Sequence, residues 1–166
     1  MDILKLSIEW AKAEVFSAKI VWLFSIITLL SAAGFSLWGK TPTAKAFVIP
    51  LIISGAFLVA IGIGLYAANR PRIAQFESEY HADAKNFAKK EIARTADSQG
   101  QLKLVFIILP VIAIVTAILL MFFPSPYSRA ITVTIILTAA FLMAVDSNTD
   151  ARNDVYHEEL VKYKTE

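Results

Sequence analysis

The chain has 166 residues, no cysteine and a net charge of +2, and 57% of its residues are hydrophobic, which gives a mean hydropathy of +0.59. Soluble domains contain about 45–50% apolar and about 25% charged residues, whereas only 18% of this chain is charged. The composition therefore excludes a disulfide scaffold, gives no reason to expect a nucleic-acid partner, and favours an integral protein of the lipid bilayer.

The first 19 residues predict an amphipathic helix. Leu4, Trp10 and Val15 fall on one side of a helical wheel, and Lys5 and Glu9 stand one turn apart on the other. Two placements are open for this helix. It lies in the lipid interface with Trp10 as its anchor, or it packs on the other cytoplasmic helices.

Four stretches of the chain carry no charge: 20–38, 46–68, 104–123 and 130–145. A helix that crosses a bilayer needs about 20 residues. We therefore predict spans at 20–38, 46–68, 104–123 and 130–148, the last extended through Ser147 and Asn148. The fold class is all-α: a polytopic membrane protein with four transmembrane helices, arranged as two tandem helical hairpins, plus amphipathic cytoplasmic helices.

Two polar segments follow the second and the fourth span. Residues 72–97 predict a cytoplasmic helix that ends near Gly100, and residues 153–164 predict a C-terminal one. Aromatic and aliphatic side chains recur along both at helical spacing. These residues form a predicted cytoplasmic interaction face: Ile73, Phe76, Tyr80, Phe87, Tyr156 and Leu160.

An internal repeat relates the two halves of the chain. Residues 46–61 align without a gap to residues 130–145, at an offset of 84, and the match extends back to Lys19 with ten identities in 43 pairs. The match includes residues outside the apolar runs: in the two short loops Pro42 matches Pro126 and Lys45 matches Arg129. The pattern predicts repeat one at 1–82 and repeat two at 83–166, related by a pseudo-two-fold axis along the membrane normal.

Lysine and arginine are distributed unevenly between the two sides of the predicted membrane. The N-terminal segment, the middle segment and the tail carry 13 of the 16, and the two short loops carry 3. By the positive-inside rule both termini are expected in the cytoplasm. The small size and this asymmetry favour a bacterial inner membrane.

The predicted spans carry two patterns of small or polar side chains. A small-residue stripe is expected to pack the helices together at the centre of the bundle: Ala56, Ala60, Gly64, Ala140 and Ala144. The hydroxyls of Ser54, Thr134 and Thr138 are either helix-packing groups or the polar lining of a narrow pore. Asp146 stands at the inner end of the fourth span, and the absence of ionisable groups deeper in the spans argues against a pump.

No catalytic or cofactor-binding motif occurs in the sequence. Glu77 and His81 are one helical turn apart, but a metal site needs further ligands, and the simpler interpretation is a solvated charged face. We therefore predict no enzyme activity, no cofactor and no metal.

In layout the chain is similar to the small multispan immunity proteins that bacteria place in the inner membrane against pore-forming toxins. That resemblance implies a membrane module that binds a protein partner through its helix faces. A small oligomeric ion channel or carrier is the alternative, favoured by the repeat and the hydroxyl faces. A scaffold role for residues 72–97, or association of the chain with copies of itself, also remains open.

Overall fold

The computed structural model describes residues 2–165, which form helices joined by short turns and include no strand. The helices in chain order are α1 (Ile3–Trp38), α2 (Pro42–Ala46), α3 (Val48–Asn69), α4 (Arg72–Ala82), α5 (Ala84–Phe122) and α6 (Pro126–Thr165).

Four helical stretches within residues 2–165 are long and apolar enough to cross a membrane. They are Ile3–Trp38, Pro42–Ala82, Ala84–Phe122 and Pro126–Lys164. The prediction of an all-helical protein with four such helices is confirmed.

Three helices continue well beyond the predicted spans. The N-terminal amphipathic segment and the first span form one helix, and the fourth span continues into the C-terminal helix. The predicted helix end at Gly100 is wrong, because α5 runs through it. The break lies at Asp83, where the backbone is extended and the carboxylate accepts a hydrogen bond from the Asn86 N–H at 3.0 Å. A glycine inside a helix lowers helix stability by only about 1 kcal/mol. An aspartate at the N-cap position, by contrast, is a strong signal for the start of a helix.

The spans form a three-helix core with a fourth helix on its edge. α1 lies along α3, α6 contacts both, and α5 packs along α6. Val21, Leu58 and Leu142 meet at the centre of this core, and Phe24 stacks on Phe141 with ring centroids 3.9 Å apart. In the described residues no Cα atom of α3 comes within 8 Å of one in α5. We call the resulting gap the α3–α5 seam.

Two glycines allow α1 and α3 to approach closely. A Cβ atom at Gly55 would lie 2.6 Å from the side chain of Leu29, and one at Gly62 would overlap the ring of Trp22. The Ser25 hydroxyl also donates to the Gly55 carbonyl at 2.8 Å. Small residues and interhelical hydrogen bonds are the usual means of packing helices in lipid, where there is no hydrophobic drive between them.

A second core lies beyond the ends of the spans, where the polar parts of α1, α4, α5 and α6 meet. Its buried residues are Ile3, Trp10, Ala11, Phe76, Phe87, Tyr156 and Leu160. We call this region the polar layer, because the charged residues of those four helices surround it.

A pair of glycine substitutions tests the packing of α3. Gly62→Ala should lower the free energy of unfolding by about 1–3 kcal/mol, because the new methyl group overpacks against Trp22. Gly64→Ala should be neutral or stabilising by up to about 1 kcal/mol, because nothing lies within 4 Å of its Cβ position. Thermal unfolding in detergent measures both, and equal effects would contradict the assigned helix face.

Candidate functional site

A buried polar network joins α1, α5 and α6 in the polar layer. The Glu91 carboxylate accepts hydrogen bonds from Arg94 Nε at 3.0 Å and from Arg94 Nη2 at 2.7 Å. The Tyr156 hydroxyl shares its hydrogen between Ser7 Oγ at 2.7 Å and Glu91 at 3.0 Å. Burial, and then the charge of Glu91, raise the pKa of Tyr156 well above its usual value. The phenol is therefore a neutral donor at physiological pH.

Trp10 lies at the centre of this network. The Arg94 guanidinium stands 4.1 Å from the Trp10 ring centroid, Arg72 stands 5.9 Å from it, and Tyr156 stacks on it at 5.6 Å. Such cation–π contacts contribute most where the cation is desolvated. Trp10 is only 6% exposed, and its Nε1–H has no partner. Of the two placements open for the N-terminal helix, the structure has the one packed on other helices.

A buried ion pair connects α1 to α6. Arg152 Nη2 lies 2.7 Å from Glu14 Oε1 and 2.9 Å from Ser17 Oγ, and Thr149 donates to the other Glu14 oxygen at 3.3 Å. The Glu14 side chain is 4% exposed and that of Arg152 is 31% exposed. A buried carboxylate requires such compensation, since removing its partner leaves an unpaired charge in a low dielectric.

A third set of hydrogen bonds joins α5 to α6. Thr95 Oγ1 lies 2.7 Å from His157 Nδ1, and Asn153 donates to the Thr95 carbonyl at 3.0 Å. The other histidine, His81, packs edge-on against Tyr80. Within residues 2–165 no three His, Cys, Asp or Glu side chains converge as metal ligands do.

A cavity of about 320 Å³ opens where the α3–α5 seam meets the polar layer. Its membrane end is apolar and its other end is charged. The lining residues are Leu65, Leu102, Val105 and Val145, followed by Trp10, Glu14, Asn69, Arg72, Arg94, Asp97, Ser98, Gln101, Asp146 and Thr149. Burial, and then the charge of Arg94, lower the pKa of Arg72. Two guanidinium groups, those of Arg72 and Arg94, therefore lie on the Trp10 side of this cavity, 5.9 and 4.1 Å from the ring centroid.

An apolar groove of about 510 Å³ lies farther along the seam, between α3, α5 and α6. The structure brings Ser54, Thr134 and Thr138 together on its wall. Thr138 donates to the Thr134 carbonyl at 2.7 Å and lies 2.6 Å from Ser54 Oγ, so those two hydroxyls bond to each other. Thr134 Oγ1 is buried without a partner. Aliphatic and aromatic side chains form nearly all of the remaining surface.

The structure places the predicted small-residue stripe on the outside of the bundle rather than at its centre. All five residues are exposed: Ala56, Ala60, Gly64, Ala140 and Ala144. α3 packs instead through the opposite side, which carries Ser54, Leu58 and Gly62. The spacing of four identifies a common face, but consecutive residues turn by about 100°, so spacing does not identify the side that is buried.

The predicted cytoplasmic interaction face lies inside the polar layer. Phe76, Phe87, Tyr156 and Leu160 are buried, and Ile73 and Tyr80 pack against them. Phe87 meets both Phe76 and Tyr80 edge-on, at centroid distances of 5.5 and 5.7 Å. These side chains therefore contact one another within the chain.

Sequence reasoning missed the buried charges of the polar layer. Glu14 stands one turn from Trp10 and from Ala18, and Glu91 one turn from Phe87 and from Thr95, so both lie on the buried faces of their helices. A carboxylate on an apolar helix face is the signal that identifies them. The partner of Glu14 is 138 positions away, and the partner of Glu91 is three residues farther along the same helix.

Removal of the Glu14 carboxylate tests the ion pair. Glu14→Ala should lower the free energy of unfolding by about 2 kcal/mol, less than for a fully buried pair because Arg152 is partly solvated. Glu79→Ala is the matched control, since the Glu79–Lys90 pair is exposed, and it should cost less than about 0.5 kcal/mol. Denaturant unfolding measures both, and a cost at Glu14 no larger than at Glu79 would contradict the role of this pair.

No family model, curated protein or solved structure matches this chain at a significant level.

Proposed function

We propose that this chain is a non-enzymatic integral membrane protein that binds a transmembrane helix of a partner protein on the outward face of α3. The binding surface is the α3 stripe, defined as Ala56, Ala60 and Gly64. The polar layer holds the helices in place but does not itself form the binding surface.

The observation that carries this proposal is the unused side of α3. Gly55 and Gly62 face inward, where Leu29 and Trp22 fill the space that a side chain would occupy. Gly64 faces outward and has no atom within 4 Å of its Cβ position. α3 therefore has two faces with small residues. The chain itself covers the face with Gly55 and Gly62 and leaves the face with Gly64 uncovered.

A face of this kind suits a second helix in lipid. Residues of the small-xxx-small type let two backbones approach closely, so that van der Waals contacts replace the hydrophobic drive that is missing in a bilayer. The neighbouring groove, with Ile53 and Phe57 on its α3 wall, adds a recess for larger side chains of the partner.

Protection of a membrane against a pore-forming toxin is a role that this design would serve, because a toxin helix held on α3 is unavailable for assembly of a pore. We propose a bacterial inner membrane as the location, with both termini in the cytoplasm. The layout similarity to multispan immunity proteins supports this role at the level of fold alone.

We also propose that the chain arose by duplication and consists of two tandem helical hairpins. Pairs of residues at the 84-residue offset lie together, which supports this origin. Ser54 and Thr138 are hydrogen-bonded at 2.6 Å, and Leu58 and Leu142 belong to the same core cluster. Contact between equivalent residues is the behaviour expected near a pseudo-two-fold axis.

Photocrosslinking in native membranes tests the partner site. A photoreactive residue at Ala60 should give a discrete protein adduct, because that position lies in the α3 stripe. Gly64→Leu should abolish the adduct, because the added side chain separates the two helices. The same photoreactive residue at Ile107, which is 63% exposed on α5, is the matched lipid-facing control and should give no such adduct.

Equal protein adducts at Ala60 and Ile107, or an adduct that persists in Gly64→Leu, would overturn the α3 site. An adduct of twice the chain's mass would replace the foreign partner by a second copy of this chain. Thermal unfolding of Gly64→Leu separates lost binding from lost folding.

Ion flux tests the alternative channel or carrier, which the convergence of Ser54, Thr134 and Thr138 on one groove favours. Proteoliposomes with the purified chain should remain tight to several ions at both voltage signs, because that groove is otherwise apolar. Ion-selective leakage that disappears in Thr134→Leu would instead establish a pore and contradict the proposal that the chain only binds a partner.

A further inference from the structure

The lining of the cavity at the end of the α3–α5 seam changes from apolar at one end to charged at the other, as a phospholipid does from its acyl chains to its headgroup. Leu65, Leu102 and Val105 line the end that continues into the spans, and charged groups line the end in the polar layer. Its volume of about 320 Å³ lies within the range of small-ligand sites. The seam beside it stays open between α3 and α5, so a chain attached to a headgroup in the cavity has a path into the hydrocarbon.

Donors for an oxyanion converge on one side of the cavity. Arg94 forms an ion pair with Glu91. Arg72 donates to the uncharged Asn69 at 2.9 Å and forms no ion pair among the described residues, although the charges of Glu91 and Glu14 also act on it. Trp10 also lines the cavity. Its side chain is only 6% exposed, and its Nε1–H lacks an acceptor. An arginine fork whose remaining N–H groups form no ion pair, and an indole N–H without an acceptor, are groups that bind phosphate.

Carboxylates line the same cavity. Glu14 is neutralised by Arg152, and Asp97 accepts a hydrogen bond from Gln101 at 2.8 Å. Asp146 forms no ion pair within the described part of the chain. A ligand that carries only negative charge would be repelled by Asp146 and Asp97, whereas a zwitterion satisfies both ends of the cavity.

We propose that this cavity binds the headgroup of an ethanolamine phospholipid, with the phosphate at Arg72 and Trp10 and the ammonium at Asp146. The acyl chains extend along the α3–α5 seam towards the apolar groove. A choline headgroup is disfavoured, because its methylated nitrogen has no N–H to donate to Asp146. A glycerol headgroup is disfavoured because it leaves Asp146 unpaired beside a net anion.

Lipid titration followed by native mass spectrometry tests the proposal on the whole chain. The probes are phosphatidylethanolamine, phosphatidylcholine and phosphatidylglycerol with identical acyl chains. We expect the ethanolamine lipid to bind at least about tenfold more tightly than the other two, as one charge-assisted hydrogen bond implies. Arg72→Gln should weaken all three by about tenfold, and Asp146→Asn should remove the preference for ethanolamine.

The matched controls are Arg70→Gln and Asp150→Asn, which change charge in the same way close by but outside the cavity lining. Equal binding of the three lipids by the unmodified chain, or equal effects of Arg72→Gln and Arg70→Gln, would overturn the proposal. Displacement of the lipid by soluble phosphoethanolamine at matched concentration would overturn the lipid source and leave a soluble zwitterion. The α3 stripe is not involved, so failure of this test leaves the partner site unaffected.

Discussion

The attachment of α5 to the rest of the molecule is the constraint on which the other features depend. Within the membrane α5 packs on α6 and stays away from α3. In the polar layer, side chains rather than backbones connect it to α1: Arg94 lies over the Trp10 ring, and Tyr156 of α6 donates to both Glu91 of α5 and Ser7 of α1. Because α5 is fixed at one end and along one neighbour, the seam beside α3 remains open, and both cavities lie along it.

The four long apolar helices were predictable because lipid imposes a simple rule on segments that cross it. Every backbone polar group must be satisfied within the segment, and charges must stay out of the hydrocarbon, so charge-free runs of sufficient length mark the spans. The continuation of the helices beyond those runs was less evident. Gly100 resembles a stop signal, but α5 runs through it, and the adjacent Gln99 donates to Asp154 of α6 at 2.6 Å. The sequence signal that does end a helix is Asp83, whose carboxylate caps α5.

The candidate site was only partly predictable. The stripe of Ala56, Ala60 and Gly64 stands out in the sequence, but its direction depends on Trp22 and Leu29, which occupy the space over two other glycines. The hydroxyls of Ser54, Thr134 and Thr138 also stand out in the sequence, and the groove contains all three, but their spacing alone does not distinguish helix packing from a pore lining. The charged cavity escaped detection because its residues come from five helices, and no local pattern relates Trp10 to Arg72, Arg94 and Asp146.

The proposed duplication gives the open seam a structural meaning. Under the 84-residue offset, α1 corresponds to α5 and α3 to α6, so the contact between α1 and α6 has a counterpart between α5 and α3. The first of these interfaces is filled by Phe24 stacked on Phe141. The counterparts of those residues are Ile108 and Phe57, and they are 52% and 53% exposed. Of the two interfaces that the proposed duplication makes equivalent, one is therefore closed by aromatic packing and the other is open. Ile108 on α5 has no aromatic ring to stack on Phe57, and Phe57 therefore lines the groove without a stacking partner on α5. Under the proposed duplication, the groove between α3 and α5 therefore results from an interface that remains unfilled rather than from the addition of new chemistry.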